Sequence, residues 1–442
     1  MSNKKEASNE LMEKIVSLCK RRGFIFQGSE IYDGLAGTWD YGPLGLALKN
    51  NVKNSWWKKF VLDREDMYGV DAAILMNQKV WQATGHVEGF SDPLVECSKC
   101  KKRFREDTLE DKIICMECGG KLGESKRFNM LFKTHVGALQ DDGSISYLRP
   151  ETAQGMFVNY KNIIDSFHPK LPFGMAQIGK AFRNEIAPRD YTFRSREFEQ
   201  MEIEYLIKPQ GWEDTFEHFR KEMLGWMKEI GLKEEHVHEL EVSDVDRAFY
   251  SKRTIDFEFD FPFGRKELYG LAYRTDYDLS RHSASSGVEL SYMDEELKEK
   301  YIPHCIEPSF GVDRTVLAIL SDAYQEDKMN DEVRSYLKFV PSMAPVKVAV
   351  FPLLKNKPDL VTKARAVFSE LKKEFGSVMF DDNGNVGKRY RRQDEIGTPF
   401  CVTVDFETIE KDDMVTVRDR DTGKQERVAV KELVVYLKEK LK

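Results

Sequence analysis

The sequence predicts an α+β main domain built on an antiparallel sheet, followed by a smaller α/β domain at the C-terminal end. Residues 171–205 read as two strands joined by a charged, proline-containing connection, which is the pattern of a β-hairpin. Residues 255–261 (IDFEFDF) alternate aromatic or aliphatic with acidic residues, as a strand with one buried face does. From residue 346 onward strands alternate with helices, and that order indicates a small α/β domain with mostly parallel strands.

The totals describe a globular protein of two or three domains. The chain has 442 residues, 41% of them hydrophobic and 32% charged, and one domain usually takes about 150 residues. The net charge of −7 excludes a uniformly basic coat for nucleic acid but leaves room for a local basic face. No apolar run reaches the roughly 18 residues of a membrane span, and the start MSNKKEASNE has no apolar signal-peptide core. We therefore expect a cytoplasmic protein without a membrane segment.

The N-terminal part is predicted to contain a helix, a strand and a second helix. Residues 10–22 carry Leu11, Ile15 and Leu18 at helical spacing, and Gly23 ends the run. The chain then passes through a strand and a glycine-rich turn (GPLG, 42–45) into a further helix. Pro43 fixes φ at the entry to this helix, and the glycines beside it permit a close approach of the backbone.

Four of the seven cysteines are spaced as a metal site. Cys97 and Cys100 form one C-x2-C pair, and Cys115 and Cys118 form a second pair followed by two glycines. Two such turns can present four thiolates to one Zn²⁺ in a closed tetrahedral site, which supports folding and leaves no open position for chemistry. Redox-active or incidental cysteines are the alternative, since a disulfide framework is not expected in a cytosolic chain. We predict one structural Zn²⁺ per chain in a zinc knuckle.

The connection of the hairpin, residues 184–196, is rich in arginine and looks too polar to be buried. Arg183, Arg189, Arg194 and Arg196 are expected to converge there, and Phe198 lies on the returning strand. A guanidinium fork can grip a phosphate with two hydrogen bonds, and an aromatic ring offers a face for a purine base. The alternative is a solvated hairpin tip whose charges bind no ligand.

Two further segments carry candidate ligand-binding residues. In YLRPETAQG (147–155), Glu151 precedes a helix whose N-terminus stabilises a carboxylate, so this residue is either a structural charge or the partner of a ligand ammonium. In EPSFGVDR (307–314), an extended segment and a glycine turn lead into an apolar helix with Arg314 near its start. A solvated first-turn arginine is the alternative there.

The remaining segments complete the two domains. Residues 213–231 are expected to form a helix with one apolar stripe, and residues 267–279 to continue the sheet. A change of composition predicts a linker at 341–345. Beyond the linker we expect strands at 347–354, 401–406 and 414–418 and helices at 360–375 and 430–442.

A basic patch is predicted in the C-terminal domain at GKRYRRQDEIGTPF (387–400). It gathers four basic residues around one aromatic ring: Lys388, Arg389, Arg391 and Arg392 with Tyr390. Such a patch suits phosphate contact and base stacking on RNA. A solvated helix face is the alternative.

These segments together resemble the class II aminoacyl-tRNA synthetases, and among them the glycyl-tRNA synthetases of the homodimeric type (class IIa). The segment at about 23–60 resembles motif 1, the hairpin at about 171–205 (FRNE, then REFEQMEIEY) resembles motif 2, and the segment at about 303–320 (EPSFGVDR) resembles motif 3. The resemblance covers essentially the whole chain. It implies a class II catalytic domain at 1–92 and 147–340, an inserted zinc-knuckle subdomain at 93–146 and an anticodon-binding domain at 345–442.

The resemblance also implies a reaction and a set of site residues. Glycine and ATP with Mg²⁺ would form glycyl-adenylate on a homodimer, and glycine would then be transferred to the 3′ end of tRNA(Gly). Catalytic roles are implied for Arg183 at the α-phosphate, Arg314 at the distal phosphates and Glu267 at magnesium, with Phe198 at the adenine. The implied ATP-binding residues are Arg183, Asn184, Glu185, Phe193, Arg194, Ser195, Arg196, Glu197, Phe198, Glu267, Leu268, Gly311, Val312, Asp313 and Arg314. The implied glycine-binding residues are Arg105, Glu151, Phe198, Glu199, Gln200, Met201, Glu202, Glu307, Pro308, Ser309 and Gly311, and the basic patch at 388–392 would bind tRNA.

One departure from the family pattern and two competing functions remain. In LAYRTDYDL (271–279), Tyr273 stands where the family has an aspartate, which affects one local contact. A synthetase-like fold kept as a non-catalytic nucleic-acid-binding or accessory subunit would have no use for the ATP-binding arginines and acids, which this chain retains. A synthetase for another small amino acid is disfavoured by the carboxylate-rich strings around Glu151, Glu202 and Glu307.

Overall fold

A computed structural model describes residues 2–109, 111–248, 250–295, 298–329 and 332–442. Within these ranges the helices are α1 (Ser2–Arg22), α2 (Pro43–Trp57), α3 (Gln78–Ala83), α4 (His86–Gly89), α5 (Ala153–Phe157), α6 (Tyr160–Phe167), α7 (Trp212–Glu229), α8 (Tyr277–Ser286), α9 (Val312–Ala323), α10 (Pro358–Phe375), α11 (Val386–Glu395) and α12 (Leu433–Lys440). The strands are β1 (Ile25–Gln27), β2 (Trp39–Tyr41), β3 (Met67–Gly69), β4 (Leu75–Asn77), β5 (Ser91–Glu96), β6 (Arg103–Arg105), β7 (Lys126–Asn129), β8 (Phe132–His135), β9 (Ile145–Leu148), β10 (Phe173–Phe182), β11 (Glu197–Ile207), β12 (Val237–Glu241), β13 (Arg253–Phe261), β14 (Gly264–Thr275), β15 (Tyr292–Asp294), β16 (Glu299–Tyr301), β17 (His304–Gly311), β18 (Tyr324–Met329), β19 (Glu332–Leu337), β20 (Val348–Pro352), β21 (Val378–Phe380), β22 (Phe400–Val404), β23 (Met414–Asp419) and β24 (Gln425–Ala429). In the part of the chain that is described, no helix is both long and apolar enough to cross a membrane.

The main domain is built on a seven-stranded sheet in the order β12-β13-β14-β17-β11-β10-β3. Neighbouring strands run antiparallel, except that β3 pairs with β10 in parallel. The hairpin predicted at 171–205 is β10 with β11, paired from Phe173 opposite Leu206 to Phe182 opposite Glu197. Because β3 and β17 pair with its outer edges, the hairpin lies inside the sheet, and the predicted antiparallel architecture is confirmed.

The alternation in residues 255–261 produces the expected two-faced strand β13. Its apolar residues are buried in the main core: Ile255, Phe257, Phe259 and Phe261. Because successive side chains of a strand point to opposite faces, Asp256 and Glu258 are turned away from that core. The acidic face of β13 is therefore available to a site on the other side of the sheet.

Helices cover the apolar face of the main sheet. The predicted stripe of α7 and its C-terminal end is buried throughout: Phe216, Phe219, Met223, Trp226, Met227 and Ile230. Residues of α2 and α9 join the same apolar core. Aromatic contacts join the sheet to the helices that cover it. The ring centroid of Phe310 on β17 lies 5.4 Å from the ring centroids of both Phe60 and Trp226.

The glycine turn at 42–45 brings two backbone segments into contact. Pro43 is the first residue of α2, as predicted. A Cβ atom added to Gly45 would lie 1.9 Å from the carbonyl oxygen of Phe24, so only glycine fits there. Helix α1 begins earlier than the predicted residue 10 and ends before Gly23, whose φ of +76° suits a residue without a side chain.

The strand expected at 267–279 is shorter than predicted. β14 ends at Thr275, and α8 begins at Tyr277, so residues 277–279 are helical. Thr275 has a φ of +57°, and the pairing of β14 with β17 shifts register between Tyr273 and Thr275. This left-handed residue ends the strand and turns the chain into α8, which the apolar run alone did not indicate.

The inserted segment folds as a small sheet of its own. β5 is its central strand, with β6 and β7 antiparallel on either side. The cysteine pairs lie in the turns between β5 and β6 and between β6 and β7. β8 and β9 belong elsewhere, because they pair with each other and β9 pairs with β4, which precedes the insertion.

The C-terminal sheet has the order β21-β20-β22-β23-β24. The expectation of mostly parallel strands holds for only part of the sheet, since β20 pairs in parallel with β21 and β22 whereas β23 is antiparallel to both its neighbours. The reason lies in connection length: β23 and β24 are joined by a tight turn with Gly423 at a φ of +67°, too short for the crossover that parallel strands need. The strands β21 and β24 were not predicted from the sequence, and the expected C-terminal helix at 430–442 is α12.

The connection predicted as a linker at 341–345 is packed against the main domain. Met343 and Ala344 are buried in the main core, and the side-chain amide of Asn51 donates to both of their carbonyl oxygens at 3.1 Å. The C-terminal domain is further tied to the β18–β19 hairpin by the buried ion pair of Arg334 with Asp394, at 3.1 Å.

Candidate active site

A cavity of about 330 Å³ opens on the face of the main sheet opposite the helices. Its walls come from β11, β13, β14, β17 and the connection between β10 and β11. It brings together most of the residues predicted for ATP and glycine: Glu151, Arg183, Glu185, Phe193, Arg194, Ser195, Phe198, Glu199, Gln200, Glu202, Glu267, Leu268, Glu307, Ser309, Gly311, Asp313 and Arg314. Four segments that are separated in the sequence therefore contribute to one site: Glu151, the hairpin at 183–202, Glu267 with Leu268, and residues 307–314.

Glu202 is the most completely hydrogen-bonded carboxylate in this cavity. One of its oxygens accepts hydrogen bonds from the backbone N–H of Thr152, at 3.1 Å, and from the Thr152 hydroxyl. The other accepts from the Ser309 hydroxyl at 2.7 Å and from the Gln200 amide at 2.8 Å. The side-chain carbonyl oxygen of Gln200 is buried and finds no donor among the described residues. The site thus retains an unused acceptor beside its carboxylates.

The charge of the cavity is dominated by three buried carboxyls, Glu151, Glu202 and Glu307. Burial, together with the negative charges of Glu202 and Glu151, raises the pKa of Glu307 to about 8 even though Arg274 works against the shift. Burial, and then the charge of Glu151, also raises the pKa of Glu202. Burial alone would raise the pKa of Glu151, but His86 and Arg274 outweigh it, so that pKa lies well below its usual value. The cavity therefore has an excess of acid that one cation would relieve.

Arg274 is the buried cation that organises these acids. Its guanidinium donates to Glu307 at 2.8 Å and to both oxygens of Asp278, at 2.7 and 2.8 Å. It also lies 3.9 Å from the ring centroid of Tyr250, which lines the cavity. Because Arg274 is already committed to Asp278 and Glu307, it does not neutralise all of the carboxyls around it.

Arg183 stands at the mouth of the hairpin between two aromatic rings. Its guanidinium carbon lies 5.3 Å from the ring centroid of Phe198 and 5.4 Å from that of Phe90, and its Nε donates to the carbonyl oxygen of Pro150 at 3.1 Å. These contacts hold the planar fork in place before any ligand arrives, as bidentate recognition of a phosphate requires.

Arg314 is fixed in a similar way at the start of α9. It donates to the backbone carbonyl oxygen of Glu267 at 3.0 Å, lies 3.4 Å from the Glu267 carboxylate, and its guanidinium carbon lies 4.5 Å from the ring centroid of Phe193. Asp256 lines the cavity nearby, and burial, together with the charges of Glu267 and Glu258, raises its pKa to about 7. An arginine and a group of acids thus share this part of the cavity.

Asp313 and Glu199 line the cavity and also take part in a buried network of hydrogen bonds and ion pairs. Asp313 accepts hydrogen bonds from the Tyr41 hydroxyl at 2.6 Å, from Lys49 at 2.9 Å and from the backbone N–H of Glu199 at 2.7 Å. The Glu199 carboxylate pairs with Lys49 and Lys53, each at 3.0 Å. This network joins α2, β11 and α9 beneath the cavity.

The hairpin connection differs from the polar, solvated segment that was expected. Four of its residues are buried: Glu185, Thr192, Phe193 and Ser195. The expected convergence of four arginines is only partly observed, because Arg183 and Arg194 line the cavity whereas Arg189 and Arg196 do not. Arg196 instead donates to the backbone carbonyl oxygens of Glu185 and Ala36, at 3.0 and 2.9 Å.

Several predicted site residues lie outside the cavity. They are Asn184, Arg196, Glu197 and Val312 from the ATP set and Arg105, Met201 and Pro308 from the glycine set. Glu197 pairs with Lys180 at 2.8 Å, and Met201 is buried in the core. Arg105 lies on β6 of the insertion, where it pairs with Asp92 at 2.8 Å and Asp107 at 2.6 Å.

Other residues of the cavity and its surroundings were not predicted from the sequence. Thr192, Val242, Asp246, Arg247, Ala248, Tyr250, Thr254, Asp256, Tyr269, Gly270 and Ala272 also line the cavity, while His86 and Arg274 lie behind its carboxyls. Asp256 had a signal, since it lies on the acidic face of the alternating strand β13. Nothing in the sequence around His86 or Tyr250 indicated a site, because long-range packing brings them there.

The four cysteines of the two C-x2-C pairs come together as expected. Their sulfur atoms all lie within 4.8 Å of one another, with Cys97 and Cys118 at 3.5 Å and Cys100 and Cys115 at 3.8 Å. Four sulfurs at 2.3 Å from a tetrahedral Zn²⁺ would be separated by about 3.8 Å. A Cβ atom on Gly120 would lie 3.0 Å from the Cys97 sulfur, and the backbone N–H of Cys100 lowers the pKa of Cys97 to about 6. The donor set therefore fits a metal of the zinc type.

The basic patch at 388–392 is helical and only partly exposed, since it lies on α11. Arg389, which was predicted to bind tRNA as part of this patch, is buried and donates to the carbonyl oxygens of Pro352, Asp382 and Gly384. Tyr390 is half-buried, with its hydroxyl 2.6 Å from that of Thr403. Arg392 pairs with Asp381 at 2.7 Å, whereas Lys388 is exposed.

Tyr273, the departure from the family pattern, is a buried residue of β14. Its ring stacks on Trp212 with the centroids 4.2 Å apart and the planes at 10°, and its hydroxyl lies 2.5 Å from Nδ1 of His304. The tyrosine is thus accommodated by stacking and by one hydrogen bond, away from the cavity lining.

Comparison with known families agrees with this architecture. Residues 132–323 match the tRNA synthetase class II core domain (G, H, P, S and T), and residues 347–440 match an anticodon binding domain. The first match runs from β8 to α9 and includes every strand of the main sheet except β3, and the second covers the C-terminal sheet. The chain is therefore a class II aminoacyl-tRNA synthetase in its fold, with an anticodon-binding domain at its C-terminal side.

Comparison with individual proteins identifies the family within this class of synthetases. The chain is 49% identical over 459 residues to the glycine–tRNA ligase of Caldanaerobacter subterraneus subsp. tengcongensis, covering 98% of each chain. It is 48% identical to that of Alkaliphilus oremlandii, covering 99% of this chain and all of the relative, and 49% identical to that of Treponema denticola, covering 98% and 97%. The chain belongs to the glycine–tRNA ligase family.

Proposed function

We propose that this chain activates glycine with ATP and transfers it to the 3′ end of tRNA(Gly). The observation that carries the proposal is the cavity itself, in which an excess of buried carboxyl groups and the preorganised arginines Arg183 and Arg314 occur together. An amino acid brings the cation that the carboxyls lack, and ATP brings the phosphates that the arginines recognise. Both substrates therefore have complementary groups in one site.

Glu151, Glu202 and Glu307 hold the ammonium group of glycine in this proposal, with the free carbonyl oxygen of Gln200 as a further acceptor. Ser309 contributes to the wall that the Cα hydrogens face. Of the other glycine-binding candidates, Phe198, Glu199 and Gly311 line the cavity, whereas Arg105, Met201 and Pro308 do not. We therefore give Arg105 no direct contact with glycine while it is paired with Asp92 and Asp107.

ATP is held by groups on the hairpin, β14 and α9 in this proposal. Arg183 contacts the α-phosphate, Phe198 stacks on the adenine, and Arg314 contacts the distal phosphates. The carboxylate of Glu267 would hold Mg²⁺, which neutralises phosphate charge when it is bound. Glu185, Arg194, Ser195 and Leu268 complete the lining.

In this reaction the protein mainly positions the two substrates and stabilises the charge that develops. The glycine carboxylate attacks the α-phosphorus of ATP and pyrophosphate leaves, and the terminal adenosine of tRNA then displaces AMP to form the ester. A carboxylate is already a nucleophile, so the first step needs no general base. Fixed guanidinium groups stabilise the charge that develops on the phosphate, which is the main contribution expected in phosphoryl chemistry of this kind.

The proposal also includes the domains, the zinc site, the tRNA-binding surface and the location that the resemblance implies. A class II catalytic domain would occupy 1–92 and 147–340, a zinc-knuckle subdomain 93–146 and an anticodon-binding domain 345–442, with one structural Zn²⁺ on Cys97, Cys100, Cys115 and Cys118. The close sulfur distances support the metal. The anticodon-type domain and exposed Lys388 on α11 support tRNA binding, and a role in protein synthesis places the enzyme in the cytoplasm.

A homodimer is supported by apolar residues left exposed around the N-terminal helix-entry segment. Ile31 is 89% exposed, Tyr32 80% and Leu35 56%, and Leu46 on α2 is also exposed. Such a concentration of exposed large apolar side chains is typical of an association surface. We propose that a second copy of the chain covers it, and light scattering coupled to gel filtration should give about twice the chain mass of 51.3 kDa.

ATP–pyrophosphate exchange with each of the twenty amino acids tests the proposed activity. Exchange with glycine alone supports it. Glu151→Gln should raise the KM for glycine and leave the KM for ATP nearly unchanged, because only the ammonium partner is altered. A folded wild-type protein that binds tRNA but shows no exchange with any amino acid would favour the accessory-subunit alternative, and exchange with a different small amino acid would reassign the pocket.

A further inference from the structure

Glu151 is in contact with the side chain of His86, a residue of α4 that does not line the cavity. Nε2 of His86 lies 3.4 Å from one oxygen of Glu151, and both side chains are buried. A carboxylate oxygen can only accept, so this contact is attractive when Nε2 carries the ring hydrogen. The other oxygen of Glu151 accepts a hydrogen bond from the amide of Gln154 at 3.0 Å. Both oxygens are therefore held from behind.

The ring of His86 is itself fixed by its surroundings. Its Nδ1 lies 2.7 Å from the hydroxyl of Thr84, and its centroid lies 5.4 Å from that of Trp81 and 5.7 Å from that of Phe90. Gly85, at a φ of +81°, turns the chain so that the hydroxyl two residues earlier can reach the ring. A histidine anchored in this way can orient its partner without moving.

The other groups facing Glu151 do not duplicate the contact. Arg274 acts on Glu151 through its charge but donates its hydrogen bonds to Asp278 and Glu307. The amide of Gln154 divides its two hydrogens between Glu151 and Asp278, and its oxygen lies 2.8 Å from Nε2 of His282. The remaining titratable groups near Glu151 are the hydroxyl of Tyr250 and the acids Glu202 and Glu307.

We propose that His86 is a positioning residue for substrate recognition, which keeps the Glu151 carboxylate ionised and aimed into the cavity to receive the ammonium of glycine. The inference rests on the proposed glycine-binding role of Glu151. It adds a residue from α4, in the segment that leads into the cysteine insertion, to a pocket otherwise built from the main domain.

The physical reason is that a buried carboxylate among other acids needs a specific partner. Without the His86 hydrogen, burial and the neighbouring Glu202 and Glu307 favour the protonated form of Glu151, which cannot pair with an ammonium. The Glu151 carboxylate would also be free to rotate. It would then no longer be preorganised to bind the ammonium group.

His86→Leu tests the proposal because it keeps an apolar side chain of moderate size and removes the donor. The KM for glycine in ATP–pyrophosphate exchange should rise about 10-fold or more, as expected for a lost hydrogen bond to a charged group, while the KM for ATP stays within about twofold. His86→Gln, whose amide can reach the position of Nε2, should restore most of the glycine affinity. Thr84→Val, which removes the hydroxyl that contacts Nδ1 of the ring, should change the glycine KM in the same direction by a smaller factor.

A pH profile separates positioning from general destabilisation. In His86→Leu, Glu151 should take up a proton in the acidic range, so the acidic limb of kcat/KM for glycine becomes steeper than in the wild type. The matched control is His236→Leu, which removes another histidine–carboxylate contact, that of His236 with Asp322 on α9, outside the cavity lining. This control should lower stability without altering either KM or the slope.

The outcomes distinguish this inference from the proposed function. If Glu151→Gln raises the glycine KM but folded His86→Leu and Thr84→Val do not, the positioning role of His86 is refuted and the pocket stands. If Glu151→Gln itself leaves the glycine KM unchanged, the role of Glu151 is wrong and the inference about His86 is overturned with it. If His86→Gln is as impaired as His86→Leu, His86 contributes packing rather than a directed hydrogen, which also overturns the inference.

Discussion

Glycine binding is expected to release a proton and to tighten as the pH rises towards 8. Burial and the neighbouring charges of Glu202 and Glu151 raise the pKa of Glu307 to about 8, so this carboxyl is mostly protonated in the empty site at neutral pH. An ammonium ion can pair only with the ionised form, and therefore its arrival expels the proton. At pH 7, one unit below that pKa, about nine-tenths of a proton should be released per glycine, and the dissociation constant should rise about 10-fold for each further unit of acidification.

Isothermal titration calorimetry of glycine binding in two buffers of different ionisation enthalpy measures this proton count directly. Glu307→Gln should bind glycine more weakly and should abolish the proton release together with most of the pH dependence. Glu289→Gln is the matched control, since Glu289 is an exposed glutamate paired with Lys300. A wild-type proton count near zero at pH 7, with a dissociation constant that does not change between about pH 6 and pH 8, would refute the reasoning.

The raised pKa of Glu307 also predicts how the free energy of unfolding depends on pH. Between the ordinary glutamate pKa and about 8, the folded chain holds a proton on Glu307 that the unfolded chain has lost. Folding stability should therefore fall as the pH rises through this window, because the unfolded state binds fewer protons. Added glycine should offset the loss, so the increase in Tm caused by glycine should be larger at pH 8 than at pH 6. An equal increase at both values would contradict the assignment.

Three further predictions follow from the site and the insertion. Arg183→Ala should keep the fold but lose about 100-fold or more in exchange rate, because it removes one preorganised charge contact, whereas Arg189→Ala outside the cavity should be nearly neutral. Ser309→Gly should raise the ratio of alanine to glycine activation by about 10-fold, measured by exchange with each amino acid, because it trims the proposed wall; an unchanged ratio would remove Ser309 from it. Metal analysis should find about one zinc per chain under four-thiolate coordination and less in Cys97→Ser, and seven free thiols without metal would contradict the knuckle.

The parts of the fold that were predictable from sequence are those governed by local patterns. The alternation in β13 and the stripe on α7 report burial directly, since each period matches one kind of element. The two C-x2-C pairs likewise identified a compact sulfur cluster from spacing alone. The hairpin was predicted with its ends near their observed positions, and its motifs pointed to most of the residues that line the cavity.

The wrong predictions concern side chains whose hydrogen-bond partners are distant in the sequence. Arg389 was predicted as part of a tRNA-binding patch, but its two terminal nitrogens donate to three backbone carbonyl groups inside the C-terminal domain. Arg196 similarly binds carbonyl groups of Glu185 and Ala36 instead of a ligand. A guanidinium has five donors and can be buried when enough acceptors surround it, and sequence does not show where those acceptors are. The same limit explains why His86 and Arg274 escaped notice.

The arrangement of acids offers a physical route to selecting glycine, the amino acid without a side chain to recognise. Attraction cannot do this, because an apolar pocket gains only about 1–3 kcal/mol per methylene and would favour alanine. A pocket built from buried carboxyls can instead exclude amino acids that carry a side chain. If a methyl group met the wall near Ser309, the ammonium would be displaced from Glu151, Glu202 and Glu307, and leaving such buried charges unpaired costs several kcal/mol. The raised pKa of Glu307 has the same origin, since in the empty site a proton remains on this carboxyl until an ammonium group replaces it. The selectivity therefore depends on how rigidly the carboxylates are held, which is why a residue that fixes Glu151 from behind matters as much as one that touches glycine.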